Sequence, residues 1–202
     1  HHPSGLNSRF AGQGLSFDEY VRQTEAMLMQ VHAGKPDIDK IVAGNSPFAL
    51  QPSGEFQRGA GKPYRRGVLL THGLSDSPYH MRHLGAFFQK EGFRVMAVLL
   101  PGHGTQPGDL LDVCWEDWAG TVAFGVQCLA DEADEIYLAG FSAGAALSLY
   151  HADKDRRVRG LFLYSPALAL PSRARWASLS RFYSGMLPRC AWLSVMPDGD
   201  VY

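Results

Sequence analysis

From residue 67 onwards, short apolar runs alternate with longer segments whose apolar residues recur at helical spacing. The runs predict four buried strands, at 67–73, 93–104, 135–142 and 158–166. The intervening segments predict helices at 77–92, 114–134 and 143–154. Buried strands separated by helices of this length predict an α/β fold with a mostly parallel sheet covered by helices on both faces.

The first 66 residues follow a different pattern. Ser16 and Glu19 stand at capping-box spacing before an amphipathic segment, which predicts a first helix over 16–36. Residues 44–66 are rich in Gly, Pro and Gln and predict a loop with one short strand near the sequence FALQP. We therefore expect three parts, which are a helical and irregular lead-in (1–66), an α/β core (67–166) and the start of an insertion (167–202).

Composition excludes several classes of protein. The chain has 202 residues, of which 46% are hydrophobic and 19% charged, and its formal net charge is -1. This balance argues against a nucleic-acid binder, and no run reaches the roughly 18 apolar residues that span a bilayer. The odd count of three cysteines favours a reducing compartment, so we expect a cytoplasmic protein. The chain begins with two histidines, which could come from an expression tag, so a signal peptide upstream stays open.

A Gly-x-Ser-x-Gly pattern joins the third predicted strand to the helix that follows it. With 22 glycines in the chain, the pattern Gly140-Phe-Ser142-Ala-Gly144 carries little weight by itself. Its context is more specific, because a nucleophile elbow requires a strand that runs directly into a helix with the serine on the turn. We predict that Ser142 is a catalytic nucleophile; the alternative is a tight turn in another kind of α/β protein.

A second motif, His72-Gly73, follows the first core strand, and with it the sequence resembles the α/β-hydrolase superfamily. The resemblance implies that the loop turns the N–H of Leu74 toward the nucleophile. Leu74 and Ala143 would then be the two oxyanion-hole donors. His72, Gly73, Gly140 and Gly144 would support the loop and the elbow, with His72 holding the loop by hydrogen bonds.

The third motif is Pro101-Gly-His103-Gly, at the end of the second core strand. Residues 65–166 as a whole resemble the carboxylesterase-like and monoacylglycerol-lipase-like branch of the superfamily. The resemblance implies a structural role for His103 and a serine hydrolase that cleaves carboxylic esters of modest to medium acyl size. It implies no metal and no cofactor. A thioesterase or peptidase of the same fold, and an inactive binding protein, remain alternatives.

The acid and base of the triad are not found in this chain. In this fold they follow the serine, and the only later histidine, His151, lies nine residues along the helix after the elbow. Asp198 and Asp200 have no strand before them. We expect the triad Asp and His after Tyr202, in a longer hydrolase whose sheet is incomplete at the C-terminal side here; a shortened and inactive relative is the alternative.

The last 36 residues carry aromatic and aliphatic side chains at helical spacing, interrupted by arginines. The resemblance implies a cap over the site, whose apolar face would suit an acyl chain. A helix that only packs on the sheet, or contact of 171–192 with a membrane surface, stays open. His80 and His83 read as a partly exposed helix face rather than a metal site, and Cys114, Cys128 and Cys190 as buried apolar residues. The partner expected is a small-molecule ester; the sequence does not indicate the oligomeric state.

Overall fold

A computed structural model describes residues 2–7, 9, 12–53 and 56–168. The chain divides into two units, His1–Pro166 and Ala167–Tyr202, and every element below lies in the first unit. The helices are α1 (Phe17–Val31), α2 (Ile38–Asn45), α3 (Pro78–Lys90), α4 (Trp115–Glu132) and α5 (Ala143–Lys154). The strands are β1 (Phe48–Leu50), β2 (Tyr64–Thr71), β3 (Arg94–Val98), β4 (Ala133–Phe141) and β5 (Val158–Tyr164).

The five strands form one sheet in the order β1-β3-β2-β4-β5. β2, β3, β4 and β5 are parallel, and only the short β1 at the edge is antiparallel to its neighbour. The chain goes from β2 to β3 on one side and then returns to β4 on the other side of β2. The strand order therefore reverses between β2 and β4, and open α/β sheets bind ligands at the carboxyl ends of strands at such a switch point.

Alternate residues of the central strands pack against helices on opposite faces of the sheet. Side chains such as Leu69, Met96 and Leu138 face the cluster that contains residues of α1, α4 and α5. Their neighbours, such as Val68 and Leu70, face a second cluster that contains residues of α3. Both faces are covered, as the apolar runs predicted, because a parallel strand buried on both sides needs hydrophobic residues throughout.

The lead-in is more regular than the sequence indicated. α1 begins as expected, with the Ser16 Oγ accepting a hydrogen bond from the Glu19 N–H at 3.2 Å. α2 and a short 3₁₀ helix (Pro107–Asp112) were not predicted. α2 has eight residues, and its N-cap Asp37 makes no capping hydrogen bond, so the usual signals of a helix start are missing. Contact of Val42 with Leu28 and Leu99 stabilises it.

Other predictions fall partly or wholly outside the described residues. The expected cap helix, Cys190, Asp198 and Asp200 all lie in 169–202, which is not described. The three-part division of the chain stays a prediction. Within the described ranges, the helices are too short or too polar to cross a membrane.

Candidate active site

Ser142 lies on the turn between β4 and α5, in a backbone conformation that serine rarely adopts. Its φ is 52° and its ψ is -112°, outside the allowed regions for most side chains. The Ser142 N–H donates to the Tyr164 carbonyl of the neighbouring strand at 2.9 Å, which helps to hold the turn. Strained residues of this kind persist only where the surroundings fix them, and they are frequent at active sites.

Gly140 and Gly144 allow the strand and helix to meet closely at this turn. A Cβ on Gly140 would lie 2.3 Å from the Gly144 carbonyl oxygen. A Cβ on Gly144 would lie 2.2 Å from the Thr71 carbonyl oxygen and 2.4 Å from that of His72. Real Cβ atoms do not approach backbone oxygens so closely, so the turn requires glycine at both positions. The second contact also joins the start of α5 to the end of β2.

The turn after β2 lies next to Ser142. Thr71, the last residue of β2, is paired with Gly140 in the sheet, so His72 and Gly73 follow β2 where Ser142 follows β4. A Cβ on Gly73 would be 3.1 Å from the Phe141 ring and 3.3 Å from the Ser142 Cβ. The two motifs that are 70 residues apart in the sequence therefore meet at the switch point of the sheet.

His72 holds the backbone of this turn. It is fully buried, its Nδ1 lies 2.8 Å from the Gly73 carbonyl oxygen, and its Nε2 lies 3.0 Å from the Leu100 nitrogen. Because the Leu100 N–H is a donor, Nε2 accepts and Nδ1 carries the proton that it donates to Gly73. Burial, reinforced by the nearby His103, lowers the pKa of His72 to about 3. A neutral ring with both nitrogens engaged cannot act as the general base at neutral pH.

His103 supports His72 from the loop after β3. The two rings lie edge to face with centroids 4.9 Å apart, and the His103 Nδ1 donates to the Pro101 carbonyl at 3.0 Å. The Trp118 indole N–H donates to the same carbonyl at 2.9 Å. Burial lowers the pKa of His103, so this ring is also neutral at physiological pH. Both histidines expected to be structural thus lie in hydrogen-bonded, buried positions.

The two amides predicted as oxyanion donors belong to backbone segments that border Ser142. Leu74 follows the Gly73 turn, and Ala143 is the first residue of α5. The first N–H groups of a helix have no acceptor within the helix, and the helix dipole favours negative charge there. The Ser142 carbonyl accepts from the Ala145 and Ala146 N–H groups, so α5 starts directly after the serine.

A mainly apolar cavity of about 810 Å³ lies beside the turn. Its wall combines the loop after β2, the outer side of α3 and the ends of β4 and β5. The lining residues are Leu74, Ser75, Asp76, His80, Met81, His83, Leu84, Phe87, Phe141, Tyr164 and Ser165. Phe141, which immediately precedes Ser142, connects the cavity to the elbow.

The structure also places the His80 and cysteine side chains. His80 is exposed on α3, and its Nδ1 contacts the Asp76 carboxylate one turn before it. Among the described residues, no three His, Cys, Asp or Glu side chains are placed to hold a metal ion. Cys114 was predicted to be buried and is exposed, because it is the N-cap of α4, with its sulfur 2.9 Å from the Asp117 carboxylate. Cys128 is half-buried.

Neither described cysteine has the character of a nucleophile. The hydrogen bond to Asp117 raises the pKa of the Cys114 thiol, and burial raises that of Cys128 to about 11. A thiol that stays protonated at neutral pH reacts slowly.

His151, the later histidine, lies on α5 with its Nε2 3.3 Å from the Asp155 carboxylate. It is held at the opposite end of this helix from Ser142, as the sequence indicated.

Comparison with known proteins agrees with this geometry. Residues 62–196, well over half of the chain, match the family described as serine aminopeptidase, S33. The chain belongs to this family. The matched region starts just before β2 and includes the His72-Gly73 turn, the loop with His103 and the Ser142 turn. Membership of the α/β-hydrolase superfamily, predicted from the same motifs, is confirmed.

Two curated relatives resemble part of the chain. A thermostable monoacylglycerol lipase of Bacillus sp. (strain H-257) is 33% identical over 108 residues, which are 54% of this chain and 43% of the relative. A carboxylesterase of Bacillus subtilis (strain 168) is 34% identical over 85 residues, which are 42% of this chain and 35% of the relative. The chain spans less than half the length of each of these relatives.

Solved structures confirm the predicted α/β-hydrolase fold. One solved structure, described as "LipS and LipT, two metagenome-derived lipolytic enzymes", matches with a TM-score of 0.58 and 29% sequence identity. The match covers 66% of this chain and 51% of the chain in that structure. A monoacylglycerol lipase of Paleococcus ferrophilus has a TM-score of 0.53 and 24% identity, covering 70% of this chain and 51% of that chain. The second likeness concerns the fold alone.

Proposed function

We propose that this chain carries the nucleophile and the oxyanion hole of a serine hydrolase that cleaves carboxylic esters. The observation that carries the proposal is the position of Ser142, strained at the switch point of the sheet and adjacent to the His72-Gly73 turn. Ser142, which is half-buried, lies here between two backbone segments with N–H groups, and the apolar cavity begins at its neighbour Phe141. Acyl transfer uses a nucleophile and N–H donors for the oxyanion, and the cavity offers room for the acyl group.

In the proposed reaction, the Ser142 Oγ attacks the ester carbonyl while a base takes its proton. The tetrahedral oxyanion is held by the N–H groups of Leu74 and Ala143. One such donor stabilises the transition state by roughly 3 kcal/mol. The base then protonates the leaving alcohol as the C–O bond breaks, and the acyl group remains on Ser142. Water attacks this acyl-enzyme with the help of the same base, releasing the carboxylic acid and restoring the serine.

The base and its acidic partner are proposed to be a His and an Asp that follow Tyr202 in the protein. His72 and His103 are unsuitable, because both are buried and neutral and their rings hold backbone groups. A serine without base and acid would retain only the residual catalysis of the oxyanion hole and of binding. Turnover is therefore a property of the longer protein in this proposal.

The cavity supports an acyl group of modest to medium size as the part of the substrate next to the carbonyl. Its wall includes the apolar side chains Leu74, Leu84, Phe87 and Phe141, and a volume of about 810 Å³ lies within the ordinary range for small-molecule sites. The names of the curated relatives, a monoacylglycerol lipase and a carboxylesterase, favour ester substrates.

A peptidase is the second candidate, because the family description names an aminopeptidase. An enzyme of that kind must bind an N-terminal ammonium group, and Asp76 supplies a carboxylate in the cavity wall. One oxygen of that carboxylate is already in contact with the Ser77 N–H and the His80 Nδ1, which makes it a weaker site for a substrate cation. We therefore rank ester hydrolysis first.

A substrate panel on the full-length protein tests the proposal. We expect p-nitrophenyl esters of two to ten carbons to be hydrolysed and aminoacyl p-nitroanilides to be left intact. Ser142→Ala should abolish turnover. Ser148→Ala, which removes a buried hydroxyl that donates to the Gly144 carbonyl one turn along α5, should stay within severalfold of the parent. Full activity of Ser142→Ala, or hydrolysis of anilides alone, would refute the proposal of a serine esterase.

A further inference from the structure

Residues Ser4–Asn7, here called the N-terminal segment, pack against the loop that follows β3. The Asn7 side-chain amide donates to the His103 carbonyl at 2.7 Å, and the Asn7 carbonyl accepts from the Gly102 N–H at 2.6 Å. Asn7 is buried, so both hydrogen bonds are shielded from water. The segment thus holds two of the three peptide groups of Pro101–Gly104, here called the PGHG loop.

A buried carboxylate fixes the other end of the N-terminal segment. Asp109, on the 3₁₀ helix after the PGHG loop, accepts from the Ser4 N–H at 2.7 Å and from the Ser4 hydroxyl at 2.6 Å. It also accepts from the Gly5 N–H at 3.1 Å. Burial acts to raise the pKa of Asp109, but these hydrogen bonds, led by that from Ser4, outweigh it and hold the pKa below its ordinary value. Asp109 therefore stays ionised as the anchor.

α1 and the turn after it contact the same stretch of backbone, at Leu99 just before the PGHG loop and at Gly104 at its end. The Tyr20 hydroxyl donates to the Leu99 carbonyl at 3.0 Å and accepts from the Leu99 N–H at 3.1 Å. The His32 Nε2 lies 2.8 Å from the Gly104 carbonyl oxygen, to which it donates. Hydrogen bonds from the first 32 residues thus reach Leu99, Gly102, His103 and Gly104.

The PGHG loop and Leu100, the residue before it, in turn hold His72, which holds the turn beside Ser142. The Leu100 N–H and the His103 ring fix the position of the His72 ring, and its Nδ1 fixes the Gly73 carbonyl. The amide of Leu74 belongs to the peptide group that contains this carbonyl. A shift of the PGHG loop would therefore rotate the amide that we propose as an oxyanion donor.

We propose that Asn7 is a positioning residue for the oxyanion hole, acting through the PGHG loop and His72. This inference rests on the proposed serine hydrolase function. Asn7 does not touch the substrate; it sets the orientation of the Leu74 N–H relative to Ser142. Displacing a catalytic group by about 1 Å can cost a factor of a hundred in rate, so a small movement of this loop is sufficient to matter.

The test compares two substitutions of Asn7 in the full-length protein. Asn7→Ala removes the amide that holds the His103 carbonyl. Asn7→Asp keeps the size of the side chain but presents an oxygen to that carbonyl instead of a donor. We expect kcat to fall by about tenfold in Asn7→Ala and further in Asn7→Asp, with KM within about twofold of the parent. The inhibition constant of an alkyl trifluoromethyl ketone, whose adduct carries an oxyanion, should rise in parallel.

A matched control separates this role from stability alone. Ser46 is also a buried residue of the lead-in, and at the C-terminal end of α2 its hydroxyl donates to the Val42 carbonyl at 2.7 Å. Ser46→Ala should lower the melting temperature without changing kcat or the ketone inhibition constant. If the Asn7 variants do not fold, Ser4→Ala is used instead, because it loosens the N-terminal segment at Asp109. In that variant we expect kcat to fall and the ketone inhibition constant to rise by a smaller factor than in the Asn7 variants.

The possible outcomes distinguish a failure of the proposed function from a failure of the role proposed for Asn7. A parent protein that hydrolyses no ester and binds no ketone would remove the proposed function. An active parent whose Asn7→Asp variant keeps its kcat and ketone affinity would overturn the inference and leave the proposed function intact. A loss that appears only in the melting temperature would reduce Asn7 to a structural residue and would also overturn the inference.

Discussion

Gly73 and Ser142 touch at the point where β2 and β4 end. A Cβ on Gly73 would lie 3.3 Å from the Ser142 Cβ and 3.1 Å from the Phe141 ring. This contact keeps the backbone after β2 within reach of any group bound to the serine hydroxyl. In the proposed reaction, the carbonyl of a substrate would lie beside this contact.

Gly73→Ala should therefore impair turnover more than folding. The added methyl group would be tight against the Phe141 ring and the Ser142 Cβ. A shift of a few tenths of an ångström relieves this contact, but it moves the turn away from Ser142. We expect kcat/KM to fall by about a hundredfold, the order of effect of losing one oxyanion donor. Steady-state kinetics and thermal unfolding measure the two effects. Gly61→Ala, where a Cβ meets nothing within 4 Å, is the control.

Gly144→Ala should instead destabilise the fold. A Cβ at this position would lie 2.2 Å from the Thr71 carbonyl oxygen, and backbone atoms of β2 cannot move without disturbing the sheet. We expect a loss of more than about 2 kcal/mol in the free energy of unfolding, at the upper end of what overpacking costs. Denaturant unfolding gives this value; a variant as stable as the parent would contradict the close strand–helix contact.

Stability should decrease as the pH falls from 7 to 5, because His72 resists protonation. Burial holds its pKa at about 3 in the folded protein, against 6.5 for the free side chain. Between these values the unfolded chain binds more protons than the folded one, so acid favours unfolding. His72 alone should lower the free energy of unfolding by on the order of 2 kcal/mol between pH 7 and pH 5. The buried His103, whose pKa is also lowered, adds in the same direction.

Unfolding by denaturant at several pH values checks this dependence. The variant His72→Gln should show a flatter profile than the parent, whereas His83→Gln, on the exposed side of α3, should keep the parent's slope. An unchanged slope in His72→Gln would mean that His72 is not the group that couples folding to protons.

Filling the cavity should change acyl-chain preference. Leu84→Trp places a larger side chain on the wall formed by α3, so longer acyl chains lose room while acetate esters still fit. We expect the ratio of kcat/KM for decanoyl over acetyl esters to fall by about tenfold, in line with the 1–3 kcal/mol that a hydrophobic pocket distinguishes. Tyr79→Trp, on α3 outside the cavity wall, is the control. An unchanged ratio would show that the acyl chain binds elsewhere.

The sequence predicted the elements of the core well, because their signals are local. Apolar runs gave all four parallel strands, and the strand–glycine–serine–glycine–helix order around Ser142 indicated the elbow. The position of His72 at the end of β2 was also predictable from its place after an apolar run. These features depend on residues that are neighbours in the chain, and hydrophobic periodicity records them directly.

Other features depend on contacts between distant residues, which a single sequence does not reveal. α2 is stabilised by packing of Val42 on Leu28 and Leu99, although its own start signal is weak. The contact of the His80 ring with the Asp76 carboxylate depends on the side-chain orientations at the start of α3, which the sequence pattern does not give. The hydrogen bonds of Asn7 to Gly102 and His103 cross about 96 positions of the chain, and a lone asparagine in an irregular segment gives no sign of them.

The intact mass of the full-length protein, before and after reaction with a fluorophosphonate probe, shows directly whether Ser142 is the nucleophile. We expect one covalent adduct per chain, mapped by peptide sequencing to Ser142, and none in Ser142→Ala. An unmodified parent protein, or an adduct on another residue, would contradict the assignment of Ser142 as the nucleophile.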